Sequence, residues 1–517
     1  MKKKKFNLKK ESIFIVSMLL VFAIVLWGLL HTSSFESTAN TVFNFLSGNF
    51  SWLYTLAMTS FVVYVLWLGF FSKYKNIKLG PDDSKPDYKT ITWFGMLFSA
   101  GMGIGLVFWG IAEPLSHYLQ PAAGIEAASL EASKFAMEKS FLHWGLHPWA
   151  NYCIIGLGLA YMQFRMKKPA LVSSIFIPLL GEEKTKGGIG KLIDILAVFA
   201  TAGGMATSLG LGTYQINSGL NYLFGIPENT TVQLIIVIGI TIIYTGTAVA
   251  GIDKGIAAIS NLNMILVAIL LLGSFVFGPT VKILSIFIES TGLYLQRFLS
   301  SALEMGAFNE DTWYSGWTIF YWAWWISWAP FVGVFIARIS RGRTIKEFVA
   351  GVLLVPAILS FLWFAIFGGI DFSVDIAILT EAAKNTTTAF FIVMNEIPFG
   401  TILSIVTVVL LFTFFITSAN SATFVLGMLC DEGKLEPNKI KMGVWGVLIS
   451  ALTLALMLGT SNGLNMLQTI SIVAAFPFIF IMFFAMYALK KALDKDPYTI
   501  ELERQKKIAK EKAAALK

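Results

Sequence analysis

Charge is scarce in this chain: 14% of its 517 residues are Asp, Glu, Lys or Arg, against roughly 25% in an ordinary soluble domain. Cysteine is nearly absent, with Cys153 and Cys430 alone, so neither a disulfide framework nor a thiolate metal site is available. No Walker A lysine loop occurs, which argues against direct drive by ATP. No small-residue cleavage motif follows the first apolar run, so that run reads as a retained helix and not as a signal peptide. Between Lys89 and Glu113 there is no charged residue at all. These absences exclude a soluble enzyme, a disordered chain, a nucleic-acid binder and a disulfide-stapled secreted domain. What is present instead is hydrophobicity, 56% of residues, gathered in runs of about 20 that suit membrane-crossing helices.

Twelve such runs can be drawn, at 12–31, 51–72, 91–118, 139–164, 192–220, 232–251, 256–278, 314–337, 347–369, 401–430, 442–459 and 464–489. Each spans a roughly 30 Å hydrocarbon core at 1.5 Å per residue. The segments between them alternate in charge. Thirty-four of the 39 Lys and Arg residues fall on one side, and only Lys134, Lys139, Lys282, Arg297 and Lys384 on the other. The positive-inside rule then places both termini in the cytoplasm and predicts a multi-pass protein of the plasma membrane. The net charge of +8 follows from this topology and needs no nucleic-acid partner.

Residues 279–305 are amphipathic and lie between spans, as an interfacial helix or a subunit contact would. The tail, 490–517, mixes Lys with Glu and Asp and reads as a solvated cytoplasmic helix, with sensing of ions or anionic membrane lipid as the other reading.

Two motifs break the pattern of plain apolar helices. In the third span Gly101, Gly103, Gly105 and Gly110 precede Pro114. A glycine costs a helix about 1 kcal/mol relative to alanine, so the segment Gly101–Gly105 is expected to unwind. Unwound backbone at membrane depth is tolerated only inside protein or along a cavity, where half-helix N–H groups can receive a carboxylate. Close packing through small residues is the plainer reading of the same glycines.

The second motif is WYSGWTIFYWAWWISW at 313–328, with six of the chain's 15 tryptophans. Trp313 and Trp317 suit an interface belt, whereas Trp324, Trp325 and Trp328 lie deeper and share one helical flank. Trp144, Trp149 and Tyr152 form a second group in the fourth span. Any one of these rings is ordinarily a core residue. Together they suit an aromatic cage for a quaternary ammonium, which gains about 0.5–2 kcal/mol per ring. With no Asp or Glu at the apparent midplane of the third, fourth or eighth span, the cage favours a zwitterion that brings its own carboxylate over a free cation.

The segments GMGIGLVFWGIAEP (101–114), FLHWGLHPWANY (141–152) and WTIFYWAWWISWAPFVGVFIARISRGR (317–343) closely resemble the betaine/carnitine/choline transporter family, over about 90–490. The resemblance implies an all-α integral membrane protein of twelve transmembrane helices. It divides as a basic N-terminus (1–11), two N-terminal helices (12–90), a five-helix repeat (91–278), the amphipathic segment (279–313), a second, inverted five-helix repeat (314–489) and a charged tail (490–517). The repeats would form the leucine-transporter-like fold, and the assembly a homotrimer.

Carried over by motif, Trp144, Trp149, Tyr152 and Trp325 match the trimethylammonium box, and Trp324 and Trp328 match the permeation path. Gly101, Met102, Gly103, Ile104 and Gly105 match the unwound segment. Choline-preferring members tend to have Asp at the last of these, where this chain has Gly105. Thr417 and Ser418 of FTFFITSANS (412–421), with carbonyls of Ser99, Met102 and Phe414, resemble the main sodium site. Taken alone, such a Thr-Ser pair more often bonds its own helix. A second sodium site is in doubt, because Thr201 is present but Met205 stands one turn on.

His143 and His147 are spaced i, i+4 like a zinc pair, but no further ligand lies near them in sequence, so packing or hydrogen bonding is expected. Glu113 reads as an interhelical hydrogen-bond partner at the end of the third span. The resulting expectation is a secondary transporter, not an enzyme. It would import a trimethylammonium zwitterion, above all glycine betaine, by sodium symport for osmoprotection, with no cofactor beyond the coupling ion. A sodium-independent carnitine or choline exchanger, a proton-coupled choline importer, a membrane-embedded enzyme and a transporter-like receptor are the alternatives.

Overall fold

A computed structural model describes residues 8–101, 103–251, 253–309, 311–458 and 463–515, without side chains at 8–10, 98–101, 253–255 and 515. Its regular elements are helices. They run α1 (Leu8–Leu30), α2 (Thr32–Leu66), α3 (Thr90–Gly101), α4 (Ile104–Leu119), α5 (Leu130–Trp144), α6 (Leu146–Ala160) and α7 (Ile177–Lys186). Next come α8 (Gly188–Phe224), α9 (Thr230–Ala250), α10 (Asp253–Phe277), α11 (Thr280–Ala302), α12 (Trp313–Gly316) and α13 (Thr318–Ile339). The chain closes with α14 (Ile345–Asp371), α15 (Ile376–Ala382), α16 (Thr386–Met394), α17 (Gly400–Leu429), α18 (Lys439–Leu458), α19 (Gly463–Asp494) and α20 (Pro497–Ala515).

Among the described residues, ten helices are long and apolar enough to cross a membrane. The third and fourth spans expected from sequence are each divided in two, as α3 with α4 and α5 with α6. The fourth divides at Gly145, where φ is −87° and ψ −126°, and not at Pro148, which α6 accommodates in its first turn. A Cβ at Gly145 would meet the Phe361 ring at 2.8 Å, so glycine lets α14 approach the break. Sequence periodicity also misses α15 and α16, which fold between spans.

The second span is much longer than 51–72. Helix continues from Thr32 to Phe71, 40 residues, or about 60 Å. Its polar first half escapes a hydropathy reading, yet Phe35 and Leu46 are buried there.

Helix termini follow local chemistry. Thr344 and Glu347 form a reciprocal capping box at the start of α14, and Gly225 and Gly251 end α8 and α9 in the left-handed conformation at φ 67° and 72°, which glycine adopts without a Cβ penalty. Between helices, buried hydroxyls replace water as partners for backbone carbonyls. Tyr54 donates to Ile472 O at 2.7 Å, Tyr64 to Met486 O at 2.8 Å and Thr207 to Leu467 O at 2.7 Å.

Helix α13 lies at the centre, packed against α6, α8 and α19, with 94% of its most apolar window buried against 17% for α10. Exposed Leu262, Ile265, Ile269, Leu272 and Val276 on α10 form the surface that lipid would cover. The basic segments converge on one face. Residues 75–79 pair with 342–346, through Leu79 N to Arg343 O and Ile345 N to Ile77 O at 2.8 and 2.9 Å. Arg165 holds Asp496 at the root of α20 and Asp82 of the first basic loop.

Candidate functional site

The aromatic groups read from sequence meet in space. Trp144, at the end of α5, and Tyr152 in α6 pack on Trp325 of α13, and Trp149 of α6 packs on Tyr152. Trp144 and Trp325 pack edge to face with centroids 4.8 Å apart, Trp149 and Tyr152 at 5.6 Å, and Tyr152 and Trp325 at 6.4 Å. Each pair is worth about 0.5–1.5 kcal/mol beyond its area. Trp324 stacks on Trp325 at 4.8 Å with planes 15° apart and stands edge-on to Trp328 at 6.4 Å. The break at Gly145 separates Trp144, at the end of α5, from Trp149 and Tyr152 on α6.

The rings are fixed by their polar edges. Trp325 Nε1 donates to His143 O at 2.8 Å, Trp328 Nε1 to Gly204 O at 3.0 Å, and Asn151 Nδ2 to Trp325 O at 2.6 Å. Trp144 Nε1 donates to Glu113 Oε2 at 2.7 Å. Glu113 is therefore the interhelical partner expected from sequence, and its carboxylate stands at the N–H edge of the Trp144 ring. The absence of a counter-charge inferred from the sequence does not hold in three dimensions, since α4 brings Glu113 to Trp144 across 31 positions. The preference for a zwitterion accordingly loses that support.

His143 contacts Glu113 Oε1 through Nδ1 at 2.7 Å and Thr318 Oγ1 through Nε2 at 3.0 Å. His147 takes no part; it stacks on Trp322 at 4.7 Å. The i, i+4 pair is thus split between hydrogen bonding and packing. Among the described residues, Glu113, His117 and His143 bring ligand atoms within 4.8 Å of one another. Their contacts of 2.7 and 3.3 Å are hydrogen-bond lengths, and a zinc ion about 2.0–2.2 Å from each atom would have to push them apart.

Among the described residues of the glycine motif, Gly103 leaves the helix. Gly103 caps α4 in extended conformation, φ −145° and ψ −152°, while Ile104 and Gly105 are already helical. The expectation of an unwound Gly101–Gly105 is corrected for the described residues: α3 continues through Gly101, α4 begins at Ile104, and Gly103 is the one of them seen to leave the helix. Ile104 packs on α8, where a Cβ at Gly212 would meet it at 2.9 Å. Gly105 serves close approach, since a Cβ there would lie 2.5 Å from Trp324 Cη2 and 3.3 Å from Trp144 Cη2. An Asp at this position would first have to displace Trp324. Met102 lies outside the described residues, as do the side chain of Ser99 and everything of Gly101 beyond its helical backbone.

A cavity of about 230 Å³ begins at Gly103 and Trp328 and follows α13 along Phe331, Val332 and Phe335 toward the basic face. Its other wall is α17, with Phe414, Thr417, Ser418 and Ser421, again one helical flank. Ser418 Oγ lies 3.7 Å from where a Gly103 Cβ would be, so the helix junction and the Thr-Ser pair meet. Thr417 Oγ1 is engaged, at 3.1 Å from Thr413 O and 3.2 Å from Phe414 O, and it receives Asn263 Nδ2 at 3.0 Å. Thr201 Oγ1 bonds its own helix at Ala197 O, 2.8 Å. Sequence reading missed Asn263, Tyr321 and His117. Asn263 comes from α10, while His117 and Tyr321 lie on α4 and α13 beside residues already singled out, and only the fold shows which partners they meet.

The profile of the betaine/carnitine/choline family transporters matches residues 12–498. Over 98% of both chains, this one is 44% identical to the glycine betaine transporter OpuD of Bacillus subtilis. It is 44% identical to a probable glycine betaine transporter of Desulfitobacterium hafniense, over 94% of this chain and 98% of the other. It is 41% identical to an ectoine/hydroxyectoine transporter of Virgibacillus pantothenticus, over 95% and 98%.

Proposed function

The chain belongs to the betaine/carnitine/choline transporter family, and from that premise we propose that it imports glycine betaine by sodium symport across the plasma membrane. It is a multi-pass membrane transporter and not an enzyme. The observation that carries the substrate reading is the convergence of Trp144, Trp149, Tyr152 and Trp325 from α5, α6 and α13. A trimethylammonium group received among these rings gains cation–π attraction without needing hydrogen bonds it cannot make. The carboxylate end would reach the N-terminus of α4, whose first N–H groups at Ile104 and Gly105 point out of the helix.

Sodium would lie between the α3–α4 junction and α17, held by Ser418 and Thr417 with carbonyls of Ser99, Met102 and Phe414. Its role is to fix the junction beside the cage, so that substrate and ion favour the same conformation. The cavity from Trp328 toward the basic face would then be the inward path, with both termini cytoplasmic by the positive-inside rule.

The layout of twelve spans in two inverted repeats is supported by reciprocal packing. Helix α13 packs on α6 while α14 packs on α4, and α8 packs on α18 while α17 packs on α9, as a two-fold relation between 91–278 and 314–489 requires. Outside the spans, α11 exposes Val281, Ile288 and Leu295, a surface for a homotrimer contact.

Uptake of labelled glycine betaine into proteoliposomes, with and without an inward sodium gradient, tests the proposal. Accumulation that requires sodium is the expected result. Uptake indifferent to sodium but driven by internal substrate would replace symport with exchange.

A further inference from the structure

The cage reading leaves Glu113 without a task. Its side chain is wholly buried within an apolar helix, where a carboxylate is costly unless its oxygens are satisfied. Four polar groups from three helices meet it, two of them donors. His143 Nδ1 at 2.7 Å and His117 Nε2 at 3.3 Å face Oε1. Trp144 Nε1 at 2.7 Å and the Tyr321 hydroxyl at 2.5 Å face Oε2. An indole N–H can only donate, so Oε2 is an acceptor. Lys139, on the same helix as His143 and Trp144, is bound away from the site to Ser301 and Glu304 at 2.6 Å each.

We propose that Glu113 is ionised and is a positioning and specificity-determining residue for cation recognition, holding Trp144 as a cage wall and laying a negative charge behind it. The inference rests on the cage reading above. Two physical effects follow from the geometry. Donation of the indole N–H to an anion pushes electron density into the ring, so its face attracts a cation more strongly. The carboxylate also acts directly on a charge across the ring, in a dry interior where Coulomb attraction is poorly screened. The cage thus carries its own counter-charge and accepts a quaternary ammonium alcohol that has no carboxylate. Such a cation depends on Glu113 more than a betaine does, because a betaine is also held at its carboxylate end.

Glu113→Gln tests the charge with the contacts kept. The amide oxygen can accept from Trp144 and Tyr321, while the amide nitrogen faces two imidazoles that become acceptors by changing tautomer. Binding is read by tryptophan fluorescence and transport by uptake, with glycine betaine and choline as ligands. Glu113→Gln is expected to weaken glycine betaine binding roughly tenfold and choline binding more than that, with KM raised and the maximal rate kept. Glu113→Asp, which keeps the charge, is expected to recover part of the loss. Trp144→Phe, which removes only the N–H and a ring edge, should weaken both ligands, and combining it with Glu113→Gln should add little.

Wild-type affinity for both ligands in Glu113→Gln overturns the inference. If that variant does not fold, unchanged affinity in Trp144→Phe overturns it instead. Trp325→Leu separates the two levels. If it loses binding while Glu113→Gln does not, the cage stands and Glu113 is only structural. If neither loses binding, the cage reading fails.

Discussion

The two halves of α13 are both apolar and both buried, yet they have opposite surroundings. From Thr318 to Trp325 the helix meets α5 and α6, whose Trp144, Trp149 and Tyr152 pack ring against ring, and the indole edges of Trp144 and Trp325 find a carboxylate and a carbonyl partner, whereas that of Trp324 has none among the described residues. From Trp328 to Phe335 the same helix meets α17, whose Thr417, Ser418 and Ser421 are too small to reach across, and a cavity remains. The difference comes from the neighbours, not from α13. Large rings on the facing helix pack against α13, and small hydroxyl side chains leave a cavity beside it. Trp328 stands at the division, tied to α8 through Gly204.

The comparison breaks most visibly at its aromatic end. Trp325→Leu removes the ring that touches both Trp144 and Tyr152, and uptake should fall by at least about tenfold; unchanged affinity would remove the cage from the mechanism. Gly105→Ala should come next, because its Cβ overlaps Trp324 and overpacking costs about 1–3 kcal/mol. Affinity should fall severalfold and recover in part when Trp324→Phe is added, measured by glycine betaine uptake. No loss in the single variant would mean that the ring edge has room to move.

At the cavity end the expected effects are on the ion. Ser418→Ala should raise the sodium concentration for half-maximal uptake more than Thr417→Ala does, since the Thr417 hydroxyl is already spent on Thr413 and Phe414 carbonyls. The reverse order would place sodium on Thr417 itself. Smallest is Arg338→Ala. The guanidinium lies 4.8 Å from the Phe424 ring, one turn beyond Phe335 and Ser421 on the cavity's basic side. An exposed cation–π contact is worth about 0.5–1 kcal/mol, so the uptake rate should change by only a few-fold while substrate affinity stays put.

Much of this was legible in the chain. The number of apolar runs, the one-sided distribution of Lys and Arg, and the amphipathic 279–305, found as α11 at Thr280–Ala302, all follow from composition and period. The aromatic set was legible because tryptophan is rare enough for a cluster to stand out. Helix breaks were half legible: glycines marked the third span, but only packing decided that Gly103 leaves the helix while Gly105 stays in it. In the fourth span the break at Gly145 leaves no mark in the sequence, since the close approach of Phe361 depends on α14.

The sequence by itself determined that this is a membrane transporter of a known family, which face is basic, and which rings are available for a cation. Those properties depend on residue type and on local period, and both are written along one strand of text. Tertiary structure alone decided that Glu113 stands behind Trp144, that His143 and His147 serve different neighbours, and that Ser418 meets Gly103 while Thr417 is engaged elsewhere. Such facts depend on which helices touch. In a bundle held by packing and buried hydrogen bonds, contacts between residues 30 to 300 positions apart leave no periodic signal in the chain.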